Sequence, residues 1–147
     1  MEYYFMNHVK YWESQGFYKA ADIFTSSRLK QGVDTKFVVD KNTLKTPGVY
    51  LLVHKDEVIK IGQSANLHNR INIQYKCVSN EGNNFIRKQI KEEYKEIEVY
   101  VFPTSNEHVE LLGYKFPINL QKGLEESMLH DFYKHLDRIP ALNRQRN

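Results

Sequence analysis

Residues 48–70 read GVYLLVHKDEVIKIGQSANLHNR, and the fold turns on how this stretch pairs with itself. Val49 to Val53 and Val58 to Ile61 are apolar runs rich in β-branched residues, and HKDE between them is turn material, so the stretch predicts a β-hairpin. Its register decides which side chains meet, because a slip of one residue turns every side chain to the opposite face. A loop with an even number of residues pairs Tyr50 with Ile61, puts Lys60 on the face opposite Tyr50 and leaves both faces mixed. An odd loop pairs Tyr50 with Lys60. It gathers Val49, Leu51, Val53, Ile59 and Ile61 on one apolar face and leaves Tyr50, Leu52, Val58, Lys60 and Gly62 on the other. The odd register sorts better, giving one face fit for a core and a phenol beside an ammonium on the second. After Gly62, Ser64 is expected to cap a helix beginning Ala65, Asn66, Leu67, whose second turn carries Arg70 back toward the end of the Lys60 strand.

The whole chain bounds what such a unit can be. Its 147 residues suit one domain with a real core. With 41% hydrophobic and 27% charged residues, the composition is that of a globular protein. A net charge of +3 permits a polyanionic partner without requiring one. The start, MEYYFMNHVK, lacks the charged lead and apolar core of a signal peptide, and no apolar run reaches membrane-spanning length, so a cytoplasmic location with no membrane partner is expected. Cys77 is the single cysteine, which excludes an internal disulfide and a cysteine-based zinc site.

Upstream of the hairpin, Tyr4, Val9 and Trp12, then Phe17, Ala20, Ala21 and Phe24, recur at helical spacing, with Gly16 as a break between two helices. Lys19, Arg28 and Lys30 fall on the exposed side of these helices, as solvated residues or as contacts to DNA. Residues 1–47 are thus read as a helical N-terminal extension, with a connector from Gly32 to Pro47 that has room for a short strand at Phe37 to Val39, and residues 48–147 as the core. Downstream, SNEGNN at 79–84 is a loop, Phe85, Ile86 and Ile90 begin a second amphipathic helix, and IEVYVF at 97–102 alternates as a third strand ended by Pro103. Residues 104–119 give no clear reading beyond a turn at Gly113. The fold class that follows is α+β: a small, mainly antiparallel three-stranded sheet, made of the hairpin 48–62 and the strand 97–102, flanked by helices.

In the last informative stretch, GLEESMLHDFYKHLDRIPALN at 123–143, Leu124, Met128, Leu129, Phe132 and Leu136 share one helical face. Glu125 falls inside that apolar sector, whereas Glu126 sits past its edge. A carboxylate aimed at a core is costly unless its charge is compensated, and a bound cation is one means.

G-V-Y, then K-I-G-Q-S about ten residues on, then N-L-x-x-R after a similar interval, resembles the GIY-YIG nuclease superfamily. The late helix resembles it too: Glu125 is spaced to Met128, Leu129 and Phe132, and P-A-L-N supplies Pro140 and Asn143. Lys60 stands where the family usually has tyrosine, as in some members resembling restriction enzymes. The resemblance covers residues 48–143 and implies a metal-dependent endonuclease acting on double-stranded DNA.

Hydrolysis of a phosphodiester needs an activated water, charge neutralised on the leaving oxygen and positive groups on the non-bridging oxygens. The resemblance implies Tyr50 as general base with Lys60 lowering its pKa, Arg70 as phosphate clamp, and Glu125 holding one Mg²⁺ or Mn²⁺, with Glu126 as the fallback ligand. His68 adds a phosphate contact or a proton relay, Asn143 completes the site, and Gln63 and Ser64 join Arg70 among the DNA contacts. The compact layout looks more like a small restriction-type enzyme, and a palindromic target then calls for a homodimer. An inactive nucleic-acid-binding or protein-interaction module is the alternative reading.

Overall fold

A computed structural model describes residues 5–30, 32–74 and 81–143. The elements are α1 (Val9–Ser14), β1 (Tyr18–Thr25), β2 (Val33–Phe37), β3 (Gly48–His54), β4 (Glu57–Ser64), α2 (Leu67–Asn69), α3 (Glu81–Gln89), β5 (Glu96–Pro103), β6 (Glu107–Leu111), β7 (Tyr114–Ile118) and α4 (Leu120–Leu136). Both α2 and α3 widen into a π-helical segment, Arg70–Gln74 and Ile90–Tyr94.

The main sheet has five antiparallel strands in the order β2-β1-β5-β3-β4, and β6 and β7 form a separate two-stranded sheet. The α+β class holds, but the expected three-stranded sheet with a helical N-terminal extension does not. Residues read as the second N-terminal helix are β1, a strand flanked by β2 and β5. The cause is local. The β1–β5 register shifts between Lys19 and Ala21, so Ala20 is an extra residue in the ladder, and Ala20 and Ala21 both enter the same core cluster. A bulge of this kind lets adjacent residues share a side, which mimics the three-to-four spacing of a helix. Residues 81–84, read as the end of a loop, open α3, while the first part of that loop, Tyr4 and Cys77 lie outside the described residues.

Each face of the main sheet carries its own core. Tyr50, Leu52, Val99 and Val101 pack against Leu67, Ile71, Ile86 and Ile90 on the α2–α3 side. On the other side Val49, Leu51, Val53, Val58, Ile61 and Tyr100 pack against Val9 and Trp12 of α1 and Met128 and Phe132 of α4. β4 is an edge strand, and unpaired edges invite association. Both ends of the chain cover it: Val58 N donates to Asn7 O at 2.7 Å, and Leu142 N donates to Ile59 O at 2.7 Å. Among the described residues, no helix is long and apolar enough to cross a membrane.

Candidate active site

Lys55 and Asp56 form the turn between β3 and β4 with φ of 48° and 68°, the two left-handed residues of a two-residue hairpin turn. Pairing from that turn, His54 with Glu57 and Val53 with Val58, would carry Tyr50 to Ile61 and turn Lys60 away from it. The ladder instead shifts between Leu52 and Val53, leaving Ile59 as the extra residue, and continues as Leu52 with Lys60, Leu51 with Ile61 and Tyr50 with Gly62. Tyr50 and Lys60 therefore share a face, but diagonally; the direct Tyr50–Lys60 pair expected from an odd loop is replaced by Tyr50–Gly62. The bulge also exchanges two neighbours. Ile59 joins the Tyr50 core cluster and Val58 the opposite one, the reverse of the expected assignment.

Gly62 is required by the tyrosine. A Cβ placed there would come within 2.7 Å of Tyr50 Cε1 and closer still to Cζ and Oη, so the ring lies directly on the glycine backbone. The phenol is 2% exposed, and half-buried Lys60 stands at a diagonal spacing of about 7–8 Å, within reach of a long side chain. Asn143 fixes this segment of β4 from outside. Its Nδ2 donates to Ile61 O at 2.8 Å, and its Oδ1 accepts from Ile61 N at 2.9 Å, so one amide replaces a missing strand partner between Lys60 and Gly62.

Arg70 reaches the same layer through α2. At Gly48 a Cβ would fall 2.6 Å from Leu67 Cδ1, which seats the first residue of the helix on the first residue of β3. Asn66, rather than Ser64, caps the helix: its side chain accepts from Asn69 N at 3.1 Å. Ser64 Oγ instead donates to Asn66 O at 2.8 Å and accepts from Asn66 N at 3.0 Å, shaping the link that presents the cap. Half-buried Arg70 lies one turn after Leu67. His68 diverges from it, since residues two apart on a helix do not face one another. Its ring stacks on Phe37 at 5.4 Å between centroids, with Lys41 Nζ over that ring at 5.7 Å. Gln63 pairs with Val49 and so points to the face opposite Tyr50.

On α4, Gln121, Glu125, Met128 and Phe132 form the buried stripe. Glu125 is 8% exposed, whereas Glu126 is exposed. The helix packs on the face opposite Tyr50, and just past its C-terminal end Arg138 meets Glu57 beside the hairpin turn, with Nη2 3.4 Å from Oε1. Leu124 and Met128, which flank Glu125, line one cavity with Phe17 and Phe102, and Phe102 pairs with Val49, itself opposite Gln63, so this part of the helix lies toward the Gly62 end of β4. Among the described residues no three His, Cys, Asp or Glu side chains converge. A single buried carboxylate suits Mg²⁺ or Mn²⁺, hard ions that take most of their ligands from water and substrate phosphate.

The N-terminal basic residues divide. Lys19 pairs with Tyr100 on the α4 side of the sheet, and its ammonium lies 2.9 Å from Asp22 and 3.4 Å from Glu98. The hydrogen bond to Asp22 outweighs burial and raises its pKa. Tyr100, pushed up to about 12 by burial and then by Glu98, stays a neutral phenol. Arg28 and Lys30 are exposed in the link between β1 and β2, which leaves the sheet about 20 Å along β5 from the Tyr50 row. A residue that the sequence reading missed is Tyr18. It pairs with Val101, which pairs in turn with Tyr50, so an exposed second tyrosine lies two strands away on the Tyr50 face. Nothing in the sequence marked it while β1 read as a helix.

No protein-family model and no curated protein matches the chain. Solved structures do. Restriction endonuclease HPY188I in complex with product DNA is 19% identical, with a TM-score of 0.61 over 95% of this chain and 87% of that one. A glutamate-to-alanine variant of bacteriophage T4 EndoII is 17% identical, with a TM-score of 0.68 over 94% of this chain and 99% of that one. Over nearly its whole length, then, the chain shares the fold of these two proteins.

Proposed function

We propose that the chain is a metal-dependent endonuclease of the GIY-YIG type that hydrolyses phosphodiester bonds in double-stranded DNA. The observation that supports this most is the Tyr50 ring seated on Gly62 with Lys60 on the same face. The fold shared with HPY188I and T4 EndoII adds to it. In this reading the Tyr50 phenolate oxygen takes the proton of the attacking water and becomes the hydroxyl, and the Lys60 ammonium favours that phenolate. Arg70 grips the scissile phosphate through its guanidinium fork. Asn143 acts as a positioning residue, holding β4 at Ile61 so that Lys60 and Gly62 keep their places relative to Tyr50. Glu125 would hold the Mg²⁺ or Mn²⁺ ion, which when bound neutralises charge on the leaving oxygen. Arg28 and Lys30 are available for DNA-backbone contacts. The finer form of the proposal is a small restriction-type enzyme cutting a palindromic site as a dimer.

The test is cleavage of supercoiled plasmid. The chain nicks or linearises it with Mg²⁺ or Mn²⁺, and EDTA stops the reaction. Glu125→Gln removes the activity and Glu126→Gln keeps it. Activity retained in Glu125→Gln but lost in Glu126→Gln would move the metal ligand to Glu126.

A further inference from the structure

We infer that the β6–β7 hairpin is an arm through which two copies of this chain associate. Its five cross-strand pairs alternate cleanly, so Val109 with Phe116, Leu111 with Tyr114 and Ile118 opposite Glu107 line one side, while His108, Glu110, Lys115 and Pro117 line the other. All ten strand residues are exposed. Leu111 is 59% exposed, Tyr114 68%, and Leu112 at the tip 97%, with Leu112 held at a φ of 54° where leucine is uncommon. A two-stranded hairpin alone is at best marginally stable in water, so this one calls for a cover that is always present in equal amount, which a second copy is.

Area and charge agree with that occupant. The arm's six apolar residues are between 38% and 97% exposed, an area on the order of the 800 Å² that each partner gives to a standard interface. Residues 107–118 carry Glu107 and Glu110 against Lys115, so nothing strongly repels a copy, and nothing recruits the phosphates of DNA. Pro117 and Lys115 blunt the β7 edge, which favours packing face to face over strand addition. This association stands or falls independently of cleavage.

Sedimentation equilibrium of the full chain tests it. The expected mass is twice the 17.5 kDa of one chain, falling to a single chain in Leu111→Glu/Phe116→Glu with the circular dichroism spectrum unchanged. Should that variant fail to fold, Tyr114→Asp, at a position open to solvent in the single chain, is expected to raise the dimer dissociation constant at least about tenfold. A wild-type chain that sediments as a monomer at high micromolar concentration, or arm variants that keep the dimer, would overturn the proposal. So would arm variants that lose DNA affinity while a monomeric wild type binds DNA.

Discussion

The two hairpins of this chain start from the same turn geometry and end in opposite surroundings. Lys55 and Asp56 in one, and Leu112 and Gly113 in the other, are two-residue turns with both φ values positive. From Leu112 and Gly113 the ladder of β6 and β7 runs through five pairs without interruption, and every strand residue faces solvent. From Lys55 and Asp56 the ladder of β3 and β4 breaks at Ile59, and a core covers each face. Left to itself the turn sets the register; where both faces must pack, a bulge resets it. The reset brings Lys60 to the side of Tyr50 and Gly62 beneath the phenol.

Glycine substitutions in the two hairpins, one in a strand and one in a turn, sharpen this contrast, and the first has the largest expected effect. Gly62→Ala drives a methyl into the Tyr50 ring. Cleavage should fall at least about 100-fold through misplacement of the phenol, and stability by about 1–3 kcal/mol from overpacking. A denaturant titration and a cleavage rate on the same preparation would check both, and an unchanged rate would sever Gly62 from the site. Asn143→Ala leaves the Ile61 amide and carbonyl without their side-chain partner. About 1–3 kcal/mol should be lost, with faster hydrogen exchange at Ile61; unchanged exchange would show that another group replaces the clasp. Gly113→Ala meets nothing within 4 Å, and only the φ of +81° resists it. About 1 kcal/mol is expected, confined to the arm and read as faster exchange of β6 and β7 amides while β3 and β4 stay protected. Smallest of all, Asp56→Gly relieves a left-handed residue in the buried hairpin and should stabilise the chain by up to about 1 kcal/mol in thermal unfolding.

The same contrast explains what could be read from the sequence. The β3–β4 hairpin, β5 and α4 announce themselves through alternation and helical spacing. The wheel that placed Glu125 inward and Glu126 outward agrees with their burial. Parity set Tyr50 and Lys60 on one face, but the pairing behind it could not be read, because an even turn followed by a bulge gives the face assignment of an odd one. β1 was illegible for the related reason that the bulge at Ala20 makes YKAADIFT imitate a helix, which hid Tyr18 and the full width of the sheet. The helix cap passed from Ser64 to Asn66 because β4 runs through Ser64, three residues past the end of its apolar run at Ile61. The arm escaped notice because its alternation serves no core within the chain, so periodicity lacked the flanking partners that normally corroborate it.

The direct measurement is single-turnover cleavage of a DNA duplex with Mg²⁺, comparing wild type with Tyr50→Phe at saturating protein. The wild type should cut, while Tyr50→Phe, with the same fold and the same DNA affinity, should cut at least about 100-fold more slowly through loss of the general base. Equal rates for the two proteins, or DNA left intact by a wild type that still binds it, would contradict the assignment of Tyr50 on Gly62 as the centre of a nuclease site.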